Sequence, residues 1–221
     1  MSKLVTGHYG LVLFPDRITE REILRIGSNP WGHKLADSGS RSKGTQPIDP
    51  VNIHFTLYHT EGLRRVNPWT VMDEFWQQAA CDFWSPNDRQ FSADDVRVHK
   101  QRYVLWHAQV SSTIQKAHTV ALSLLAPHLS REYRNQAAAD EKRSFPLIRD
   151  RDLELVQKYG RRNVDRLNQP HFLCGTTTEE VGRFPKSSHH GCFTHVAFTR
   201  HDGEGIIKEI LIQEPLVRGA V

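Results

Sequence analysis

The sequence predicts an α+β fold built from two similar halves. The predicted elements follow the order strand, helix, histidine strand, helix, two strands, two helices, histidine strand and hairpin. Each half therefore contributes one strand that carries a candidate catalytic histidine, at His54 and at His171. The 221 residues suffice for one sizeable core or two small lobes. We expect residues 1–221 to form a single domain of two lobes.

The composition is that of an ordinary globular protein. Charged residues make up 24% and hydrophobic residues 38% of the chain, with a formal net charge of +4. The basic residues are scattered, which permits a polyanionic ligand but argues against bulk nucleic-acid binding. Three cysteines lie far apart without CxxC spacing, and no window approaches eighteen apolar residues. We therefore expect free thiols, no membrane segment and a cytoplasmic location; the sequence does not indicate an oligomeric state.

The first half begins with an apolar run at residues 8–13, which predicts a central strand. Residues 19–26 follow the pattern of a short helix, with Asp16 or the first residue of the helix as its cap. Residues 27–50 are rich in Gly, Ser, Asn and Pro, so we expect a long loop. This loop leads into a strand at residues 52–59.

The middle of the chain alternates helical and strand patterns. Residues 66–81 predict an amphipathic helix, because apolar side chains recur there at intervals of three and four: Trp69, Met72, Phe75, Trp76 and Ala79. Residues 91–98 and 102–106 fit two neighbouring strands. A long helix follows over residues 110–124, and Pro127 ends it.

The last third returns to strands. Residues 130–146 are dense in charged side chains and alanine, and we expect a solvated extension or loop there. Residues 150–159 predict a short helix that ends at Gly160. A strand at 171–174 and a terminal hairpin over 192–213 complete the chain.

The strand at 52–59 combines an apolar face with a polar one. Alternation places three polar side chains on one face: His54, Thr56 and Tyr58. An imidazole beside a hydroxyl can transfer a proton and donate a hydrogen bond to an anionic oxygen, as phosphate-ester chemistry requires. By the same alternation His59 belongs to the opposite face, and we expect it in solvent at the strand end.

His54 and His171 can work as a pair, although 117 positions (171 minus 54) separate them. Two imidazoles that converge on one phosphorus can act as general base and general acid. This chemistry requires neither a metal ion nor another cofactor. Which histidine is the base cannot be read from the sequence.

The segments His54-Phe55-Thr56-Leu57 and Pro170-His171-Phe172-Leu173 resemble the two motifs of the two-histidine (2H) phosphoesterase superfamily. This superfamily includes bacterial RNA 2′,5′-ligase-like proteins and cyclic phosphodiesterases, and its mark is two copies of His-x-Thr/Ser. The resemblance covers most of the chain by order and spacing. It implies a bilobal, pseudo-twofold α+β fold in which two antiparallel sheets with flanking helices surround a central cleft. It also implies His54 and His171 as catalytic residues and Thr56 as a phosphate ligand.

The second motif departs from the pattern at Leu173, which stands in place of the second hydroxyl residue. Loss of one charge-assisted hydrogen bond lowers phosphate binding or turnover by about ten- to a hundredfold. Thr176 or Thr177 can supply a hydroxyl from beyond Gly175, and Tyr58 is a further candidate phosphate ligand on the first strand.

Two alternatives concern the histidines near the end of the chain. His195 can replace His171 as the partner of His54, but its +2 residue is Ala197. A cluster of potential ligands suggests zinc: His189, His190 and Cys192. Structural zinc sites use four ligands, and because no second ligand pair stands at suitable spacing we predict no metal site.

The predicted function is that of a hydrolase, a metal-independent cyclic phosphodiesterase or RNA 2′,5′-ligase-like phosphoesterase. Its expected partners are a phosphorylated small molecule, a nucleotide or an RNA end, and the reaction opens a 2′,3′-cyclic phosphate or a 2′,5′-phosphodiester. The alternative is a non-catalytic nucleotide- or RNA-binding protein of the same fold, which the leucine at position 173 favours.

Overall fold

The computed structural model describes residues 5–29, 45–79, 85–100, 102–162, 164, 170–178, 188–202 and 205–217. The helices in these ranges are α1 Arg17–Ser28, α2 Pro68–Ala79, α3 Ser112–Leu125, α4 Arg131–Ser144 and α5 Asp150–Tyr159. The strands are β1 Val5–Pro15, β2 Thr45–Pro47, β3 Phe55–Val66, β4 Gln90–His99, β5 Tyr103–Val110, β6 His171–Thr177, β7 His189–His201 and β8 Ile207–Pro215. Cys81 lies outside the described residues.

The strands form one antiparallel sheet in the order β1-β3-β6-β5-β4-β7-β8, with β2 on β6. An additional pairing of β1 with β7 closes six of these strands into a barrel. The predicted antiparallel α+β class is confirmed, but the expectation of two separate sheets is wrong. The reason is the length of β7, thirteen residues, which pairs with β4 through His189–Cys192 and with β1 through the residues that follow.

One face of this sheet is apolar and packs against the helices. Phenylalanines from four strands contact one another there with ring centroids 4.8–5.7 Å apart: Phe55, Phe91, Phe172 and Phe193. Helices α1, α2 and α3 add buried side chains to the same core, including Ile23, Phe75 and Ile114. The opposite face carries the polar residues discussed below.

Most helices begin and end at residues suited to those positions. The Asp16 carboxylate accepts a hydrogen bond of 2.9 Å from the Thr19 backbone N–H and so caps α1. Gly160 ends α5 with φ 78°, a left-handed conformation that glycine adopts without strain. None of the described helices is long and apolar enough to cross a membrane.

Helix α4 corrects the expectation of an extension or loop at residues 130–146. Ser130 caps this fourteen-residue helix by accepting a hydrogen bond from the Tyr133 N–H. Ala138 is its one buried residue, so the segment lacks the apolar periodicity that would have predicted a helix. Two further expectations also fail, because β2 lies inside the predicted loop and because Trp69 is 59% exposed rather than part of the core.

Candidate functional site

Strands β3 and β6 bring His54 and His171 together. The register pairs Phe55 with Phe172, and both rings point into the core. Because the strands are antiparallel, the residue after Phe55 lies opposite the residue before Phe172, and the reverse. Thr56 is therefore beside His171, and His54 is beside Leu173. The two histidines are then diagonal neighbours on the polar face, with Cβ atoms roughly 7–8 Å apart.

A β-bulge at Leu57 moves Tyr58 to the opposite face. Strand β1 pairs Val12 with Thr56 and Leu11 with Tyr58, so one residue of β3 is extra at this point. Tyr58 is 3% exposed and belongs to the core, where its hydroxyl donates a 2.7 Å hydrogen bond to the Tyr159 carbonyl. Burial raises the pKa of Tyr58 to about 12. The prediction that Tyr58 shares a face with His54 is therefore wrong.

The same bulge brings His59 onto the face of His54, which corrects the expectation that it points the other way. The His201 ring from β7 lies 5.5 Å from the His54 ring and 4.9 Å from the His59 ring, centroid to centroid. These rings meet across β1 above Gly10, which pairs with His59 on one side and Thr199 on the other. A Cβ atom at Gly10 would lie 2.8 Å from the Tyr58 carbonyl oxygen, so the cluster requires glycine there.

His54 is held as a neutral imidazole. Its Nδ1 lies 2.8 Å from the Asn52 carbonyl oxygen, which can only accept, so Nδ1 carries the proton and Nε2 keeps its lone pair. A turn of 3₁₀ helix, Pro50–Asn52, presents that carbonyl. Burial, together with the nearby His201 and His171 rings, lowers the pKa of His54 to about 3. The side chain can accept a proton at neutral pH.

Arg161 reaches the site from the end of α5. Its guanidinium Nη2 lies 3.2 Å from Nδ1 of His59 and donates to it. Burial and the Arg161 charge lower the pKa of His59 to about 3, so this ring is also neutral. No motif marks Arg161 in the sequence; it follows Gly160, the residue predicted to end α5.

A cross-strand row on the polar face places a fifth histidine, His107, at the site. Strand register pairs Asp95 with His107 and His107 with His171, so one acidic and two imidazole side chains line up across β4, β5 and β6. The His107 and His171 ring centroids are 5.9 Å apart. Burial and the His171 and Arg97 charges lower the pKa of His107. The sequence motifs missed His107 because its place depends on the register of three strands.

A cavity of about 600 Å³ opens beside His171. Its described lining is basic and apolar, without a carboxylate: Arg97, Val98, His99, Lys100, Tyr103, Leu105, His107, Arg161, His171 and Leu173. Thr176, a predicted phosphate ligand, pairs with Gln46 and Tyr103 and is not among the described lining residues. Thr177 is 2% exposed.

The remaining sequence candidates lie away from His54. His195 pairs with Phe14, and its Nδ1 lies 3.0 Å from the Thr194 hydroxyl; the β7 histidine at the site is His201. The His189 Nε2 atom lies 2.9 Å from the Thr19 hydroxyl. In the parts of the chain that the structure describes, no group of three or more His, Cys, Asp or Glu side chains could hold a metal ion.

Comparison with solved structures confirms the predicted fold relationship. LigT of E. coli in complex with ATP covers 97% of this chain and 100% of its own, with a TM-score of 0.53 at 12% identity. LigT in complex with 3′-AMP covers 96% and 98%, with a TM-score of 0.52 at 12% identity. A phosphoesterase structure covers 97% and 100%, with a TM-score of 0.50 at 14% identity. No family model matches the sequence, and no curated protein matches it significantly. The chain thus shares the overall fold of these LigT and phosphoesterase structures.

Proposed function

We propose that this protein is a metal-independent phosphodiesterase that acts on a 2′,3′-cyclic phosphate or a 2′,5′-phosphodiester of a nucleotide or RNA end. One observation carries the proposal: β3 and β6 place His54 and His171 on the same face, on either side of the paired Phe55 and Phe172. The LigT structures of E. coli that share this fold contain 3′-AMP, NADP+ and ATP, which supports a nucleotide ligand. The cytoplasmic location stays a prediction.

His54 is our candidate for the general base. The Nδ1 proton is engaged with the Asn52 carbonyl, so Nε2 is the atom that accepts a proton from the attacking water. The oxygen then forms its bond to phosphorus as its proton moves to His54. A pKa of about 3 keeps this ring unprotonated at neutral pH, at the cost of a weaker base.

His171 is our candidate for the general acid. As the phosphorus–oxygen bond to the leaving ribose oxygen breaks, that oxygen takes the bonding electron pair and a proton from His171. Thr56, the cross-strand neighbour of His171, is exposed and can donate a hydrogen bond to a non-bridging phosphate oxygen. A charge-assisted hydrogen bond of this kind contributes about 1.5–3 kcal/mol.

The second candidate function is binding of a nucleotide or RNA end without turnover. Leu173 favours it, because an apolar side chain faces His54 where the other motif has a hydroxyl. Both functions use the same cleft, so binding alone does not distinguish them.

Turnover by chelator-treated protein tests the proposal. We would incubate it with a panel of nucleoside 2′,3′-cyclic phosphates and 2′,5′-linked dinucleotides. We expect hydrolysis that falls by about 10²–10⁴-fold in His54→Ala and in His171→Ala, the usual contribution of general acid–base catalysis. His195→Ala serves as the matched control and should retain activity. No turnover on the whole panel, together with measurable binding, would establish the binding function instead.

A further inference from the structure

The cavity beside His171 extends beyond the phosphate position proposed above. Along β5 its lining runs from His107, which pairs with His171, to Tyr103, four residues away. Four residues of strand span roughly 13 Å. The volume of about 600 Å³ falls among those of small-ligand sites, roughly 300–1,000 Å³. A nucleoside attached to the reacting phosphate fits within these dimensions.

The floor of this cavity is apolar. Leu105 and Leu173 are cross-strand partners, and Tyr103 follows on the same face of β5. The guanidinium carbon of the exposed Arg102 lies 5.2 Å from the centroid of the Tyr103 ring. A flat apolar surface of this kind accepts the face of a nucleobase. A leucine suits such a contact better than a threonine does.

The far end and rim are cationic. Arg97 and Lys100 come from the end of β4 and the turn after it, and Arg161 comes from the end of α5. Arg97 also pairs with Asp95 at 2.6 Å, but no carboxylate is among the described lining residues. Lys100 occupies the turn with φ 52°, the one positive φ among the described non-glycine residues. Arg161 donates to His59 and so lies near the histidines, whereas Lys100 and Arg97 favour a second anionic group farther along the cavity.

We propose that this cavity is a subsite for the nucleoside and the 5′-phosphate of the same nucleotide whose 2′,3′-phosphate reacts. The protein then prefers a 5′-phosphorylated nucleotide or a strand end over a free nucleoside 2′,3′-cyclic phosphate. The base contacts Tyr103, Leu105 and Leu173, and the 5′-phosphate contacts Lys100 and Arg97. This inference rests on the proposed function, because the reacting phosphate sets the direction in which the nucleoside extends.

Three probes that share one base test this inference: adenosine 2′,3′-cyclic phosphate, its 5′-phosphorylated form, and a diadenosine dinucleotide that ends in the cyclic phosphate. We would measure Kd with the His54→Ala protein, which lacks the proposed base, and kcat/KM with wild type. An added contact to a charged group in a partly exposed site is expected to favour the last two probes by about three- to tenfold. Equal affinity for the 5′-phosphorylated mononucleotide and the dinucleotide identifies a strand end as a ligand.

The variant Lys100→Asn removes the charge and keeps a residue that tolerates a positive φ. We expect it to abolish most of the preference for the 5′-phosphorylated probes. Lys116→Gln, at an exposed position of α3, is the matched control and should preserve that preference. Equal Kd for all three probes overturns the subsite, even if all three are hydrolysed. Tighter binding of the phosphorylated probes without turnover of any probe supports the subsite and overturns the proposed hydrolase.

Discussion

The two histidine motifs differ in how far their histidines are exposed to solvent. His54, the residue before β3, is half-buried, its Nδ1 bonded to the Asn52 carbonyl and its ring next to His201. His171 on β6 is exposed and borders the basic cavity. Pseudo-symmetry of sequence therefore does not produce symmetry of environment. The enclosed half holds a neutral ring suited to accept a proton, and the open half faces the side where the leaving group and its nucleoside can lie.

The largest effect that tests this division concerns the leaving group. A 2′-deoxynucleoside 3′-(4-nitrophenyl) phosphate has no vicinal hydroxyl, so water is the nucleophile, and it releases nitrophenolate, which needs no protonation. We expect His171→Ala to recover most of the about 10²–10⁴-fold attributed to acid catalysis on this substrate, whereas His54→Ala stays impaired. Initial rates of nitrophenolate release from both variants measure this difference. Recovery by His54→Ala instead would reverse the two roles.

The next effect comes from giving the second motif the hydroxyl residue that the first motif has. Leu173→Thr supplies a hydroxyl beside His54, and turnover of adenosine 2′,3′-cyclic phosphate should rise by up to about ten- to a hundredfold. The same change removes an apolar contact with Leu105, so the discrimination in favour of the 5′-phosphorylated probe should fall. Steady-state kcat/KM for both substrates gives the result, with Leu173→Val as an apolar control. A Leu173→Thr protein no faster than wild type would show that the phosphate oxygen is already satisfied by another group.

The sequence predicted those parts of the fold that depend on local pattern. The cap at Asp16, the left-handed Gly160 and the strand that carries His171 were all recognisable from a few neighbouring residues. Helix α4 was missed because a helix with one buried residue has no apolar stripe. The single closed sheet was missed because nothing local in β7 reveals that it changes partner from β4 to β1.

The two motifs predicted that His54 and His171 converge, and the pairing of Phe55 with Phe172 brings them to a common face; their catalytic roles stay predictions. Simple alternation failed beyond Leu57, where a bulge that no local residue pattern indicates shifts the parity. His107, His201 and Arg161 approach the histidine pair through register or through α5. Such partners are separated in sequence by tens of residues, so only the three-dimensional pairing identifies them.

The enclosed half also makes stability depend on pH. The pKa values of His54 and His59 are about 3 in the folded protein, against 6.5 for a free histidine. The unfolded chain therefore binds more protons between pH 6.5 and pH 3, and stability is lost as the pH falls through this window. We expect about 1 kcal/mol per histidine between pH 6.5 and pH 5.5, measured by urea unfolding. His59→Gln should reduce this loss, and His128→Gln on the exposed surface should leave it unchanged.

The smallest effect tests the bulge that separates the two faces of β3. Tyr58→Phe removes the hydroxyl that donates to the Tyr159 carbonyl, so the free energy of unfolding should fall by about 0.5–1.5 kcal/mol. Because Tyr58 lies on the core side of the sheet, kcat/KM for adenosine 2′,3′-cyclic phosphate should stay within about twofold, a difference below 0.5 kcal/mol. Urea unfolding and initial rates on the same preparation provide both values. The reverse result, unchanged stability with impaired turnover, would return Tyr58 to the face of His54 and remove the parity shift from which the position of His59 follows.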